Sequence, residues 1–155
     1  MKTKVLMVCL GNICRSPLAE GILTSKINPE TVWVDSAGTA GYHIGSPPDS
    51  RSIAVAQNYG LDISKQRCRK FSYSDFLEFD YIYAMDLSNY ADIVSLAQNE
   101  ADRLKVQLLL QQVDLGVTEV PDPYYGGAEG FEQVFQMIDA ACEVIAKKIE
   151  GYGRN

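Results

Sequence analysis

Short apolar runs alternate with longer segments of helical period along this chain. Thr3–Val8 is a short, mostly apolar run of the kind that forms a strand buried in a parallel sheet. Ser16-Pro17 reads as an N-cap followed by proline at the first helical position, predicting a helix to about Lys26. Thr31–Val34 predicts a second strand, leading through Asp35-Ser36-Ala37-Gly38 into a loop with Gly41, Gly45, Pro47 and Pro48. A helix is predicted from about Asp49 to Asn58, stopped by Gly60. Phe79–Met85, aromatic and β-branched, predicts a third strand, and Ser88 is the predicted cap of a helix to about Asn99. Lys105–Leu110 predicts the fourth strand. Phe131, Val134, Phe135, Ile138, Cys142, Ile145 and Ile149 then recur at spacings of three and four, which predicts a long amphipathic closing helix.

Regular alternation of strand and helix predicts an α/β fold: one open, parallel four-stranded sheet flanked by helices on both faces. The 155 residues contain no internal repeat or linker, so residues 1–155 are expected to form a single domain. In such folds ligands sit beyond the carboxyl ends of the strands, at a topological switch point. The loop after the first strand lies there if that strand is central.

Composition narrows the partners. Fourteen Lys and Arg against twenty Asp and Glu give a net charge of −6, which disfavours general binding to nucleic acid or anionic membrane. The apolar run Val5–Leu10 is six residues long, shorter than a membrane span or a signal-peptide core, so a cytoplasmic location is expected. Cys9, Cys14, Cys68 and Cys142 are scattered without a Cys-x-x-Cys pair, and His43 is the lone histidine, so no metal site is expected and reduced thiols are the default.

The chemistry concentrates in Cys9-Leu10-Gly11-Asn12-Ile13-Cys14-Arg15-Ser16. A thiol and a guanidinium six residues apart bracket a loop whose amides can turn inward, making a cradle for a tetrahedral oxyanion. The helix beginning near Ser16, together with Arg15, favours negative charge on the Cys9 sulfur, and Ser16 can donate to it. Arg15 offers a planar fork for two phosphate oxygens. Gly11 and Asn12 suit the left-handed conformations that a curled loop needs. This phosphate-binding loop can take a phosphoryl group but cannot protonate a leaving oxygen. Val120-Pro121-Asp122-Pro123-Tyr124-Tyr125-Gly126 offers the acid, because its two prolines restrict the backbone around Asp122.

Cys-x5-Arg-Ser with Gly-Asn inside the loop, together with Asp-Pro-Tyr-Tyr, resembles the low-molecular-weight protein tyrosine phosphatases over nearly the whole chain. Asp35-Ser36-Ala37-Gly38 and Met85-Asp86-x-Ser88-Asn89 resemble the family's second and third strand ends. The resemblance implies Cys9 as nucleophile, Arg15 as phosphate clamp and Asp122 as general acid, with Asn12 as loop organiser and Ser16 as thiolate donor. It also implies that Leu10, Gly11, Asn12, Ile13, Cys14 and Arg15 surround the phosphate, while Tyr42, Tyr124 and Tyr125 line the cleft. Phosphotyrosine-containing proteins are the implied partners, inorganic phosphate the product, and no cofactor is required. One departure stands out. Many members carry a histidine where this chain has Gln66, supporting the loop from behind. An arsenate reductase of the same fold and a catalytically silent phosphopeptide-binding module are the alternatives. The former needs two further cysteines close together, whereas Cys68 and Cys142 are far apart in sequence. Peroxide is expected to link Cys9 and Cys14 in a disulfide if the curled loop brings their sulfurs within reach.

Overall fold

The computed structural model describes residues 2–124 and 127–151. Four parallel strands, β1 (Thr3–Cys9), β2 (Val32–Gly38), β3 (Tyr81–Ala84) and β4 (Val106–Leu108), form one sheet in the order β2-β1-β3-β4. The sequence leads from β1 outward to β2, then back across to β3 on the other side. The switch point therefore lies at the carboxyl end of β1, where Cys9 ends the strand.

Alternate residues of β1 point to opposite faces. Val5, Met7 and Cys9 join a core beneath the helices α1 (Arg15–Lys26), α2 (Ser50–Asn58) and α6 (Ala128–Gly151). Leu6 and Val8 face the second core, with Phe76 of α3 (Ser74–Glu78) and Ile93 of α4 (Leu87–Val94). The β1 side chains from Val5 to Val8 are fully buried, as expected of a central strand covered on both sides. The observed architecture is the α/β sheet that the alternating pattern predicts.

Several local expectations shift, each because a distant partner outweighs a local signal. Helix α1 starts at Arg15 with Cys14 as N-cap and no side-chain cap. Ser16 falls inside the first turn and its hydroxyl turns to the Cys9 sulfur, while Pro17 sits where a missing N–H costs no helical bond. Strand β2 runs on to Gly38, because residues 35–38 pair with Leu6–Cys9 of β1 although they carry little apolar signal. The helix expected from Ser88 to Asn99 is two helices. Asp86, not Ser88, caps α4 by accepting from Asn89 N, and Asn99 caps α5 (Glu100–Leu104) by accepting from Asp102 N. Helix α3 has five residues, too few for a periodic signal, and β4 gives way to a 3-10 turn at Leu109–Gln112.

Candidate active site

Residues 9–15 wrap from the end of β1 into α1. The loop turns on Asn12, whose φ of 58° is the sole positive value among described non-glycine residues. Asparagine tolerates this conformation better than most residues, and here its side chain is fully engaged. Its Nδ2 donates to Ser16 Oγ at 2.8 Å and to Ser36 Oγ at 3.0 Å, while its Oδ1 accepts from Arg69 N at 2.9 Å. Gly11 has no positive φ, so the left-handed conformation expected there is confined to Asn12. Close approach explains a different glycine: a Cβ on Gly38 would lie 2.8 Å from Leu10 O and 3.1 Å from Asn12 N. The end of β2 is thus pressed against the loop backbone.

The Cys9 sulfur lies at the base of this turn. Ser16 Oγ is 3.0 Å away and Asn12 N donates to the sulfur at 3.3 Å. The first turn of α1 opens onto the same loop, so hydroxyl, amide and helix terminus meet at the base of the turn.

Arg15 is only 2% exposed. Its Nη1 donates to Asp86 Oδ2 at 2.7 Å and to Val120 O at 2.9 Å, and its Nη2 is 3.8 Å from Asp122 Oδ2. Asp86 therefore orients the guanidinium, and it is a site residue that sequence reasoning passed over. Its signal was its position just after β3, where the open sheet places ligands. The Asp122 carboxylate is 41% exposed and accepts from Tyr124 N at 3.0 Å, an Asx-type turn that fixes the loop. Helix α2 braces the same loop: the Arg51 guanidinium carbon lies 5.3 Å from the Tyr124 ring centre and 4.7 Å from that of Phe131.

A cavity of about 300 Å³ joins these elements. Cys9, Leu10, Gly11, Ile13, Cys14 and Arg15 line it from the loop, Tyr42 and His43 from the segment after β2, and Asp122 and Tyr124 from the segment that follows Val120. Asn12 and Ser16 stand behind the loop as its braces, and Tyr125 lies outside the described residues. Burial, with Asp49, Cys9 and Asp122 nearby, pushes the Cys14 thiol up to about 12, so it is a neutral thiol beside the Cys9 sulfur.

Behind the loop, Ser36 Oγ donates to Glu20 Oε1 at 2.7 Å, extending the chain of polar groups from Asn12 into α1. Burial pushes the Glu20 carboxyl up to about 7, against the lowering effect of that hydrogen bond. Gln66 Nε2 donates to Pro17 O at 3.1 Å, while its Oε1 is buried with no partner among the described residues. The glutamine thus supports the first turn of α1, not the loop turn itself. Ser36 lay within the Asp35–Gly38 stretch with no role assigned to it, and Glu20 carried no signal in the sequence beyond lying near the motifs.

Comparisons with known proteins show the family. The family model described as low molecular weight phosphotyrosine protein phosphatase matches residues 4–154. The chain belongs to this family. It is 41% identical over 143 residues to the low molecular weight phosphotyrosine protein phosphatase of Schizosaccharomyces pombe, covering 88% of this chain and 90% of that one. To the low molecular weight phosphotyrosine protein phosphatase 1 of Drosophila melanogaster it is 41% identical over 156 residues, covering 96% and 97%. A crystal structure of a protein tyrosine phosphatase from Entamoeba histolytica superposes with a TM-score of 0.90 at 41% identity, covering 97% of this chain and 99% of the other.

Proposed function

We propose that the protein is a cysteine-dependent phosphatase hydrolysing phosphotyrosine and related aryl phosphate monoesters in two steps. The observation that carries this reading is that Cys9, Arg15 and Asp122 line one cavity, with hydrogen-bond donors on the sulfur and the carboxylate 3.8 Å from the guanidinium. The Cys9 thiolate attacks phosphorus in line, forming an S–P bond as the P–O bond to the tyrosine breaks. Loop amides and Arg15, held by Asp86, bind the equatorial oxygens as charge spreads over them. Asp122 gives its proton to the departing phenolic oxygen. Its carboxylate then takes a proton from the water that attacks the cysteinyl-phosphate, releasing inorganic phosphate and restoring the thiolate.

No step calls for a metal or cofactor, and among the described residues no cluster of three or more His, Cys, Asp or Glu is arranged to hold a metal ion. The substrates are phosphotyrosine-containing proteins, and neither nucleic acid nor membrane has a part in the reaction. No described helix is long and apolar enough to cross a membrane. A reducing compartment such as the cytoplasm suits the mechanism, since Cys9 works as a free thiol. The arsenate-reductase alternative lacks a relay: Cys68 donates to Asn12 O behind the loop, whereas Cys142 is buried in α6 against Ala19 O.

The deciding experiment compares turnover of phosphotyrosine and phosphoserine peptides with arsenate reduction in the presence of thioredoxin, and adds acid trapping of the intermediate. Turnover confined to phosphotyrosine, with ³²P trapped on Cys9 and lost in Cys9→Ser, is expected. Cys9→Ser should still bind phosphate, because Arg15 and the loop amides remain. Substantial hydrolysis by Cys9→Ser, or trapped label elsewhere, overturns the assignment.

A further inference from the structure

The mouth of the cavity is electrostatically lopsided. One arc is built from the phosphate loop and the segment 41–48, and neither contains an aspartate or glutamate. Of the acidic residues nearby, Asp122 lines the cavity, and Asp49, which follows segment 41–48, is paired with Arg51. Segment 65–70 is stitched onto the first arc. Cys68 N donates to Ser46 O at 2.9 Å, Gly45 N donates to Cys68 O at 2.8 Å, and Cys68 Sγ donates to Asn12 O at 2.8 Å.

This segment holds four cations in six residues: Lys65, Arg67, Arg69 and Lys70. Arg69 is used internally, paired with Asp35 and Asp75. The other three are exposed, and none has a carboxylate within 4.0 Å among the described residues. Among the described residues, Arg67 donates to the backbone carbonyls of Ser64 and Gln66. In a chain with six more acidic than basic residues, a cluster of cations without carboxylate partners is costly through self-repulsion and is available to an outside anion. Lys70 is the best placed. Its stem packs along Gly41, where an added Cβ would lie 3.6 Å from Lys70 Cδ, and Gly41 directly precedes Tyr42 and His43 of the cavity wall.

We propose that Lys70, seconded by Arg67, is a specificity-determining arc that docks an acidic side chain flanking the phosphotyrosine of a protein substrate. The inference rests on the phosphatase reading above. The cavity accommodates the aryl phosphate, so the residues before and after it lie along the rim. A carboxylate there meets the ammonium of Lys70, which has no carboxylate within 4.0 Å among the described residues. An exposed ion pair of this kind is weak and screened by salt, so the preference is modest and dependent on ionic strength.

The test uses the full chain and four substrates: phosphotyrosine peptides flanked by acidic, alanine or lysine residues, and 4-nitrophenyl phosphate, which has no flanks. At low salt kcat/KM should rank acidic over alanine over lysine peptides, by about two- to fivefold per step, and the ranking should collapse at about 0.5 M salt. Lys70→Glu should abolish or invert the ranking, and Arg67→Glu should weaken it, with 4-nitrophenyl phosphate turnover unchanged in both. A wild type that hydrolyses all three peptides equally, or a ranking that survives Lys70→Glu, overturns the docking arc and leaves the phosphatase reading intact. Loss of 4-nitrophenyl phosphate turnover in Lys70→Glu also overturns it, because Lys70 is then structural. Failure of the wild type on every substrate refutes the phosphatase reading itself.

Discussion

Glu20 is a half-buried carboxyl that works against the stability of the fold at neutral pH. Its helix position places it under Ser36, and burial raises it from the ordinary 4.5 to about 7, opposed by the Ser36 hydrogen bond. A carboxyl raised in the folded state binds its proton more tightly there than in the unfolded chain. Its contribution is therefore fully present below the unfolded value and is lost as pH rises through the folded one. At about 1.36 kcal/mol per pH unit, the interval from 4.5 to about 7 corresponds to a loss of about 3 kcal/mol.

Glu20→Gln removes the titration and keeps an oxygen to accept from Ser36. The stability of the Gln variant relative to wild type should therefore rise with pH, by about 2 to 3 kcal/mol between pH 5 and pH 8. Urea denaturation of both proteins at pH 5, 6, 7 and 8 measures this difference, and other titrating groups largely cancel in it. A difference that stays flat across that range, or a Gln variant that loses ground as pH rises, refutes the reasoning. The retained acceptor should keep Ser36 available to Asn12, so kcat should change far less than stability does.

Two further predictions concern the reacting groups. Asp122→Ala should lower kcat on phosphotyrosine by about 10²–10⁴-fold, and by much less on esters whose leaving group needs no proton; equal losses across a leaving-group series would mean that Asp122 only shapes its loop. Mild peroxide should inactivate the enzyme through a Cys9–Cys14 disulfide, slowly at neutral pH because Cys14 stays a thiol up to about 12, and faster as pH rises. Bound phosphate should protect, dithiol reductant should restore activity, and Cys14→Ser should recover poorly. Peptide mapping that finds Cys9 oxidised beside a free Cys14 leaves Cys14 as packing.

The sequence by itself carried whatever depends on bonded spacing. Cys9 and Arg15 are bracketed within one loop, so a few φ and ψ values place both around one cavity, and the Cys-x5-Arg-Ser pattern is legible without a structure. The apolar run ending at Cys9 and the three-and-four repeat from Phe131 to Ile149 likewise report burial through local period, because strand and helix repeat over a few residues. Asp122 was legible through its prolines, although its approach to Arg15 was not.

Tertiary structure alone decided the partners that are polar, single and far apart in the chain. Asp86 lies 71 residues from Arg15, Ser36 lies 24 from Asn12, and Gln66 lies 49 from Pro17. None repeats with any period, and a lone polar residue reads the same in sequence whether it faces water or a buried guanidinium. The same holds for β2 beyond Val34 and for the caps of α4 and α5. Pairing with β1 extends the one, and side chains reaching local amides set the others. Gln66 and Glu20 show the limit most clearly: only packing under α1 leaves an amide oxygen without a partner and a carboxyl near neutrality. Burial is a property of the assembled layers, and it converts ordinary side chains into the supports of the site.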